Sequence, residues 1–206
     1  NEGEPSSYGA ADSVDPEGSV SIVSTRGLTS ARGPRVRTAG FADFNAGGPR
    51  NAQLPAGIRL NGPGASVAQD LEPEYIAVSG DTAFVSLQEA NAVAEIDVER
   101  ARVIRIRSLG TKDHSLVGAG LDPSDRDGGI NIANWPVRGL YMPDAIASFR
   151  VRGKEYVISA NEGDGRDHPG FADEVRAGAA SVVLDPVVFP NAAALKANAA
   201  LGLALA

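Results

Sequence analysis

Two stretches of the chain repeat one pattern, and that repeat constrains the fold more than any other feature. Pro73-Glu74-Tyr75-Ile76-Ala77-Val78-Ser79 leads to Thr82-Ala83-Phe84-Val85-Ser86-Leu87-Gln88-Glu89, and Pro143-Asp144-Ala145-Ile146-Ala147-Ser148-Phe149 leads to Tyr156-Val157-Ile158-Ser159-Ala160-Asn161-Glu162. Each copy is a short β run, a tight turn, a second β run and a closing Glu. Asn1-Glu2-Gly3-Glu4 has the form of the tail of a third copy, since Asn161-Glu162-Gly163-Asp164 ends the last one in the same way. Recurrence of this kind predicts small sheets stacked side by side, as in a propeller.

The complete unit lies between Pro73 and Leu109. Ile76–Ser79, Thr82–Gln88, Ala92–Val98 and Arg102–Leu109 read as four antiparallel strands, with Gly80-Asp81 as a hairpin turn. Four strands in about 37 residues is the size of one blade. Gly18–Thr25 and Arg35–Phe41 read as the last two strands of an earlier blade, and Asp144–Phe149 and Lys154–Ala160 as the first two of a later one. Ser181–Leu184 is a further β run. An Ala-rich helix is predicted from Ala192 to Leu201, with Asn191 as its N-cap. The expected fold is therefore all-β: a partial β-propeller, one complete four-stranded blade flanked by two partial blades, with a short C-terminal helix. All 206 residues belong to a single propeller domain on this expectation, with 1–41 ending one blade, 73–110 forming the next, and 143–206 starting a third and carrying an insertion.

Alternating strand directions then sort the loops. The turns Gly80-Asp81, Glu99–Ala101 and Arg152-Gly153 fall on one face and are short. The long loops 1–17, 43–72, 111–142 and 161–180 all fall on the other, the rim on which a rigid scaffold usually carries its function. A net charge of −7 argues against a nucleic-acid partner. No apolar run is long enough to span a bilayer, and the absence of Cys excludes disulfides and thiolate metal sites. The chain opens on Asn rather than Met, so a preceding segment is expected.

Three loop constellations carry candidate chemistry. Asp122, Asp125 and Asp127, spaced ahead of Gly128-Gly129, suit a hard cation with oxygen ligands, Ca²⁺ foremost, although the twelfth-position Glu of an EF-hand is missing. Asp-Pro and Asp-Gly also favour turns on their own. Glu162, Asp164 and Asp167 could hold a divalent metal, with Arg166 forking onto a phosphate and His168 beside it; the bland alternative is a solvated loop in which Arg166 pairs with a neighbouring Asp. Asp113-His114-Ser115 invites an acid–base relay with a Ser nucleophile, but no Gly-x-Ser-x-Gly elbow accompanies it, and a hydrogen-bonded loop anchor is the better explanation of the triplet. Asp113, His114, Arg166 and His168 are thus the catalytic candidates. Trp135, the only Trp, either stacks on a ligand or plugs its own loop. Glu2, Glu89 and Glu162, each closing a second strand, could converge on the propeller axis and attract cations, or bond to backbone of the next blade.

The segments Asn1-Glu-Gly-Glu-Pro-Ser, Asp15-Pro-Glu-Gly-Ser-Val, Ala68-Gln-Asp-Leu-Glu-Pro-Glu-Tyr-Ile-Ala-Val, Leu109-Gly-Thr-Lys-Asp-His-Ser, Leu121-Asp-Pro-Ser-Asp-Arg-Asp-Gly, Asn131-Ile-Ala-Asn-Trp-Pro-Val and Ala160-Asn-Glu-Gly-Asp-Gly-Arg-Asp resemble the bacterial choice-of-anchor I family. Some members of that family are labelled mesenchyme-specific cell surface glycoproteins and others alkaline-phosphatase-like or phytase-like. The resemblance covers almost the whole chain. It implies an extracellular, periplasmic or cell-surface β-propeller, longer than this chain, whose blade begun at Asp144 is interrupted by an insertion and resumes beyond Ala206. The remaining blades, as chain continuation or partner chain, would then be its first partners. Two functions are expected from residues and resemblance together. One is a surface binding module with an acidic, calcium-binding rim. The other is a metal-dependent phosphoesterase acting on a phosphorylated small molecule.

Overall fold

The computed structural model describes residues 1–25, 33–125 and 127–204. The chain divides into two compact units. The first comprises residues 1–110 and 140–171, the second residues 111–139 and 172–206.

The first unit is built from antiparallel sheets. β1 (Ser19–Ser24) pairs with β2 (Arg35–Gly40). β3 (Pro73–Ser79), β4 (Thr82–Leu87), β5 (Ala92–Asp97) and β6 (Arg102–Ser108) form a four-stranded meander in chain order. The expected strands are all present within a few residues of their predicted ends. Alternation explains the sheet: Ala83, Val85 and Leu87 of β4 are buried, and β5 is buried along nearly its whole length, as a central strand must be. β6 breaks its alternation for a local reason. Ile96 pairs with Val103 and Glu95 with Arg105, so Ile104 is an extra, bulged residue. Val103 and Ile106, three apart, both reach the core, while Arg105 and Arg107 lie together over Glu95. Arg50 donates to the carbonyls of Val103 and Ile104 across that bulge, and its guanidinium lies 4.5 Å from the Phe44 ring centroid.

Beneath the sheet sits the core, centred on Phe41, Phe44, Leu71, Leu87 and Ile96. Phe41 and Phe44 come from the long loop after β2, and Leu71 ends α1 (Val67–Asp70). This four-residue helix is held by a capping box: the Ser66 hydroxyl accepts from Gln69 N, and Ser66 N donates to Gln69 Oε1.

The second blade-like pair follows later in the chain. β9 (Pro143–Val151) and β10 (Lys154–Asn161) form a hairpin through Arg152-Gly153, and β9 packs against β3 and β4. Between β6 and β9 in sequence come two short strands, β7 (Thr111–Asp113) and β8 (Arg138–Leu140), which pair with each other. Two-residue strands β11 (Asp167–His168) and β12 (Phe171–Ala172) also pair. The structure is thus mostly β, with several antiparallel sheets and two short helices among the described residues.

The second unit departs from expectation in two places. Residues 181–184 form no strand: Val182 N closes a turn on Ala179 O, Val183 is exposed, and no neighbouring strand accepts the run. The Ala-rich helix is only α2 (Ala192–Leu195). The Asn191 side chain makes no capping bond, and the chain after Lys196 folds back in turns, with Leu201 N donating to Leu195 O and Gly202 N to Ala197 O. Four alanine-rich residues without a cap are too few to propagate further. Among the described residues no helix is long and apolar enough to cross a membrane.

Candidate functional site: an acidic hollow at the strand ends

The repeat brings acids together. β3 starts at Pro73-Glu74 and β9 at Pro143-Asp144, while β4 and β10 run out into Gln88-Glu89 and Glu162-Gly163-Asp164. In an antiparallel meander the start of one strand and the end of the next share an edge. Glu2, Glu74, Asp144, Glu162 and Asp164, with Gln88 and Tyr75, line one open hollow of about 390 Å³. Gln88 Nε2 donates to Glu162 Oε2 at 3.3 Å, linking the two copies of the repeat.

Its electrostatics are unfavourable as it stands. Burial pushes the Glu74 carboxyl up to about 8, reinforced by Glu89, Glu2, Asp144 and Asp164. Burial likewise raises Glu89, opposed by its own backbone N–H and by Arg166, and raised further by Glu2 and Asp164. Its buried Oε2 has no hydrogen-bond partner among the described residues. Burial and then Glu4 raise Glu2. Of the three strand-end glutamates, Glu2 and Glu162 line the hollow; Glu89 belongs to the same electrostatic cluster.

A buried cation is held in the same unit. Arg166 is 2% exposed; its Nη1 donates to Asn61 Oδ1 at 2.6 Å and its Nη2 to the Asp70 carbonyl at 2.9 Å. The same Nη2 lies 3.3 Å from Asp70 Oδ1 and 3.4 Å from Glu72 Oε2. Burial nonetheless pushes Glu72 up to about 8, with Arg166 opposing and Glu89, Asp70 and Glu2 adding to it. Tyr8 stands over this cluster: burial takes its hydroxyl up to about 12, against Arg166 and with Glu72, Asp70 and Asp15. Gly62 admits the approach, since a Cβ there would lie 2.5 Å from Asp70 Oδ1 and 2.9 Å from the Tyr8 hydroxyl. Arg166 therefore reaches carboxyl groups far from it in sequence, those of Asp70 at the end of α1 and Glu72 just ahead of β3.

The other predicted residues are dispersed. Asp167 is exposed, and His168 faces the Tyr8 ring with centroids 6.1 Å apart. Asp164 Oδ1 accepts from Gly165 N. Asp122 accepts from Ser124 N and Asn131 N, Asp127 from Gly129 N, and Asp125 lies 3.5 Å from Arg176. These are turn-forming contacts. Among the described residues no three His, Asp or Glu side chains gather into a metal-ligand set. Asp113 accepts from both N and Oγ of Ser115 and pairs with Arg138 at 3.3 Å, which holds its carboxyl below the usual range. His114 turns away: its Nδ1 bonds the Ala119 carbonyl at 2.7 Å, so the expected relay is not assembled. Trp135 anchors its own loop, Nε1 donating to Leu121 O at 3.1 Å.

Asp70, Glu72, Glu74 and Asp144 escape a motif search because they resemble ordinary strand-entry residues. The signal was present in Asp70-Leu-Glu72-Pro-Glu74, carboxylates on every second residue before a predicted strand, and in its echo Pro143-Asp144.

No curated protein and no solved structure matches the chain. The choice-of-anchor I domain model matches residues 1–204. That coverage points toward a surface-associated bacterial module, and the chain belongs to the choice-of-anchor I domain family.

Proposed function

We propose that the chain is part of a secreted or cell-surface β-propeller and acts as a binding module whose acidic hollow takes cations, calcium foremost. The observation that carries this reading is Glu74, pushed up to about 8 by burial and by the neighbouring Glu89, Glu2, Asp144 and Asp164, with Glu2, Asp144 and Asp164 lining the same open hollow. A bound cation relieves that repulsion and returns the carboxylates to their charged form. A propeller is supported by the side-by-side sheets of the first unit: Arg37 of β2 donates to the Val98 carbonyl beyond β5, and β9 packs on β3 and β4. Among the described residues β10 pairs with β9 alone, and its Ile158 is exposed, so further blades are the partners expected at that edge. Calcium takes six to eight oxygens. The Asp122–Asp127 turn has its oxygens engaged by backbone N–H groups and Arg176, so the hollow is the better fit, with water completing the coordination.

A phosphoesterase draws less support, because Arg166 is committed to Asn61, Asp70 and Glu72 and His114 to Ala119. The test is thermal unfolding of the intact protein at pH 8 with and without CaCl₂, for the native chain and for Glu74→Gln/Asp164→Asn. Calcium at about a hundred times its Kd is expected to add roughly 2.7 kcal/mol of stability to the native chain. The double variant should lose most of that gain. An unchanged melting temperature in calcium overturns the reading.

A further inference from the structure

The second unit encloses a cavity of about 260 Å³ with a different chemistry. Leu121, Leu184, Phe189, Leu195 and Leu201 supply its apolar wall, and Leu195 and Leu201 are each only 6% exposed. No Asp or Glu is among its described lining residues, although the chain carries a net charge of −7. Three basic side chains line it as well: Arg138, which pairs with Asp113 at 3.3 Å, Lys196 and His114. The Lys196 ammonium donates to the carbonyls of Ala179 and Val182 at 2.9 and 2.5 Å, and no carboxylate pairs with it among the described residues. An ammonium has three donors. Lys196 is half-buried, and its two neutral carbonyl partners leave one donor and no counter-charge beside the chamber. His114, with Nδ1 on the Ala119 carbonyl, also lines the chamber. Its Nε2 sits against Gly139, where a Cβ would approach it to 2.8 Å. That contact accounts for a glycine at this position.

We propose that this cavity binds a small apolar molecule bearing one carboxylate, with the carboxylate on Lys196 and the hydrocarbon against the leucine and phenylalanine wall. The size follows from volume. An apolar cavity of about 150 Å³ accepts benzene, so about 260 Å³ accommodates roughly ten non-hydrogen atoms. A medium-chain fatty acid or an arylalkanoic acid has that size and charge. A charge-assisted hydrogen bond from an ammonium to a carboxylate is about twice as strong as a neutral one, and this sets the selectivity for an acid over an alcohol. The site is independent of the acidic hollow, and its test does not depend on cations.

Octanoate and octan-1-ol, equal in chain length, are the probes, titrated into the intact protein by calorimetry. The resonance of ¹³C-carboxyl-labelled octanoate reports the head group. Octanoate is expected to bind at least about tenfold more tightly than octanol, with its carboxyl resonance shifted. Lys196→Met, which keeps the aliphatic stem, should bring octanoate down to the affinity of octanol. Ala177→Phe, which fills the chamber from its wall, should abolish binding of both. Circular dichroism shows whether each variant folds; should both fail to fold, the octanoate–octanol comparison on the native protein decides alone. Equal binding of acid and alcohol, or no octanoate binding at millimolar concentration, overturns the proposal. So does unchanged octanoate binding in a folded Lys196→Met or Ala177→Phe protein.

Discussion

Arg166 shows how far a residue's role can depart from its neighbours in sequence. Set in Asp164-Gly165-Arg166-Asp167-His168, it reads as one member of a polar loop. In the folded chain it is buried against Asn61, Asp70 and Glu72, about a hundred residues earlier. The pair is worth little as a net gain, because burying both charges costs nearly what their attraction returns. Removing one partner is another matter. Arg166→Met should destabilise the protein by about 3–5 kcal/mol, since the Asp70 carboxylate then stays buried without a cation. Glu72→Gln should cost little at pH 6, because burial already keeps that carboxyl largely protonated below about 8. Urea midpoints for the two variants check both statements; equal losses would show that the charge on Glu72 matters more than its burial implies.

Single turns do comparable work for whole elements. Asn91, fully buried and at φ +50°, sits between β4 and β5. Its Nδ2 donates to the Gly110 carbonyl after β6, and its Oδ1 accepts from the N–H groups of Tyr141 and Met142 before β9. One side chain thus ties a complete sheet to the start of the next, and Asn tolerates the left-handed conformation better than most residues. Asn91→Ala should cost about 2–4 kcal/mol, from orphaned buried groups and strain together. Asn91→Asp, which keeps the acceptor and loses the donor, should fall between, as denaturant titration would read. Much at this scale was legible. The meander from β3 to β6 shows in the alternation of Ala83, Val85 and Leu87 and in the Gly80-Asp81 turn, because strand periodicity and turn chemistry are local properties. The capping box Ser66-x-x-Gln69 of α1 is a local pattern too, but no helix was expected there. The bulge at Ile104 appeared in sequence only as an irregular pattern, since its cause lies in the pairing with β5 and in Arg50, 54 residues away. The role of Arg166 left no local trace at all. Residues 181–184 misled for the converse reason: a β-favouring run makes a strand only when a partner edge is at hand.

Across the whole molecule, most of the long loop 111–142 and the C-terminal segment from residue 172 prove to be a compact unit of their own. Without periodicity, segments such as 111–139 and 172–204 give no sign that they meet. The first unit keeps most of the perturbed carboxyls, and their sum sets how its stability answers to pH. Glu74 and Glu72 are pushed up to about 8 from an ordinary value of 4.5, and Glu2, Glu89 and Asp15 are raised as well. Glu95 runs the other way, held low by Arg107 and Arg105 against the cost of its burial. A raised carboxyl binds its proton more tightly in the folded state than in the unfolded one. Its stabilising contribution is therefore complete below about pH 4.5 and is lost as pH climbs through about 8. Glu95 contributes in the opposite sense and only at the acid end, where its stabilisation is lost as pH falls below its unfolded value. The first unit should accordingly be most stable near pH 4.5–5, weaken steadily to about pH 8 and level off above it. Glu74→Gln should flatten that decline, raising the urea midpoint at pH 8 and leaving it nearly unchanged at pH 4.5. Cations that enter the hollow should do the same for the native chain, because they stabilise the ionised form that the fold otherwise penalises. A midpoint that rises between pH 5 and pH 8 without added cations would mean that the acids of the hollow are already compensated within the fold, and would remove the reason for a cation there.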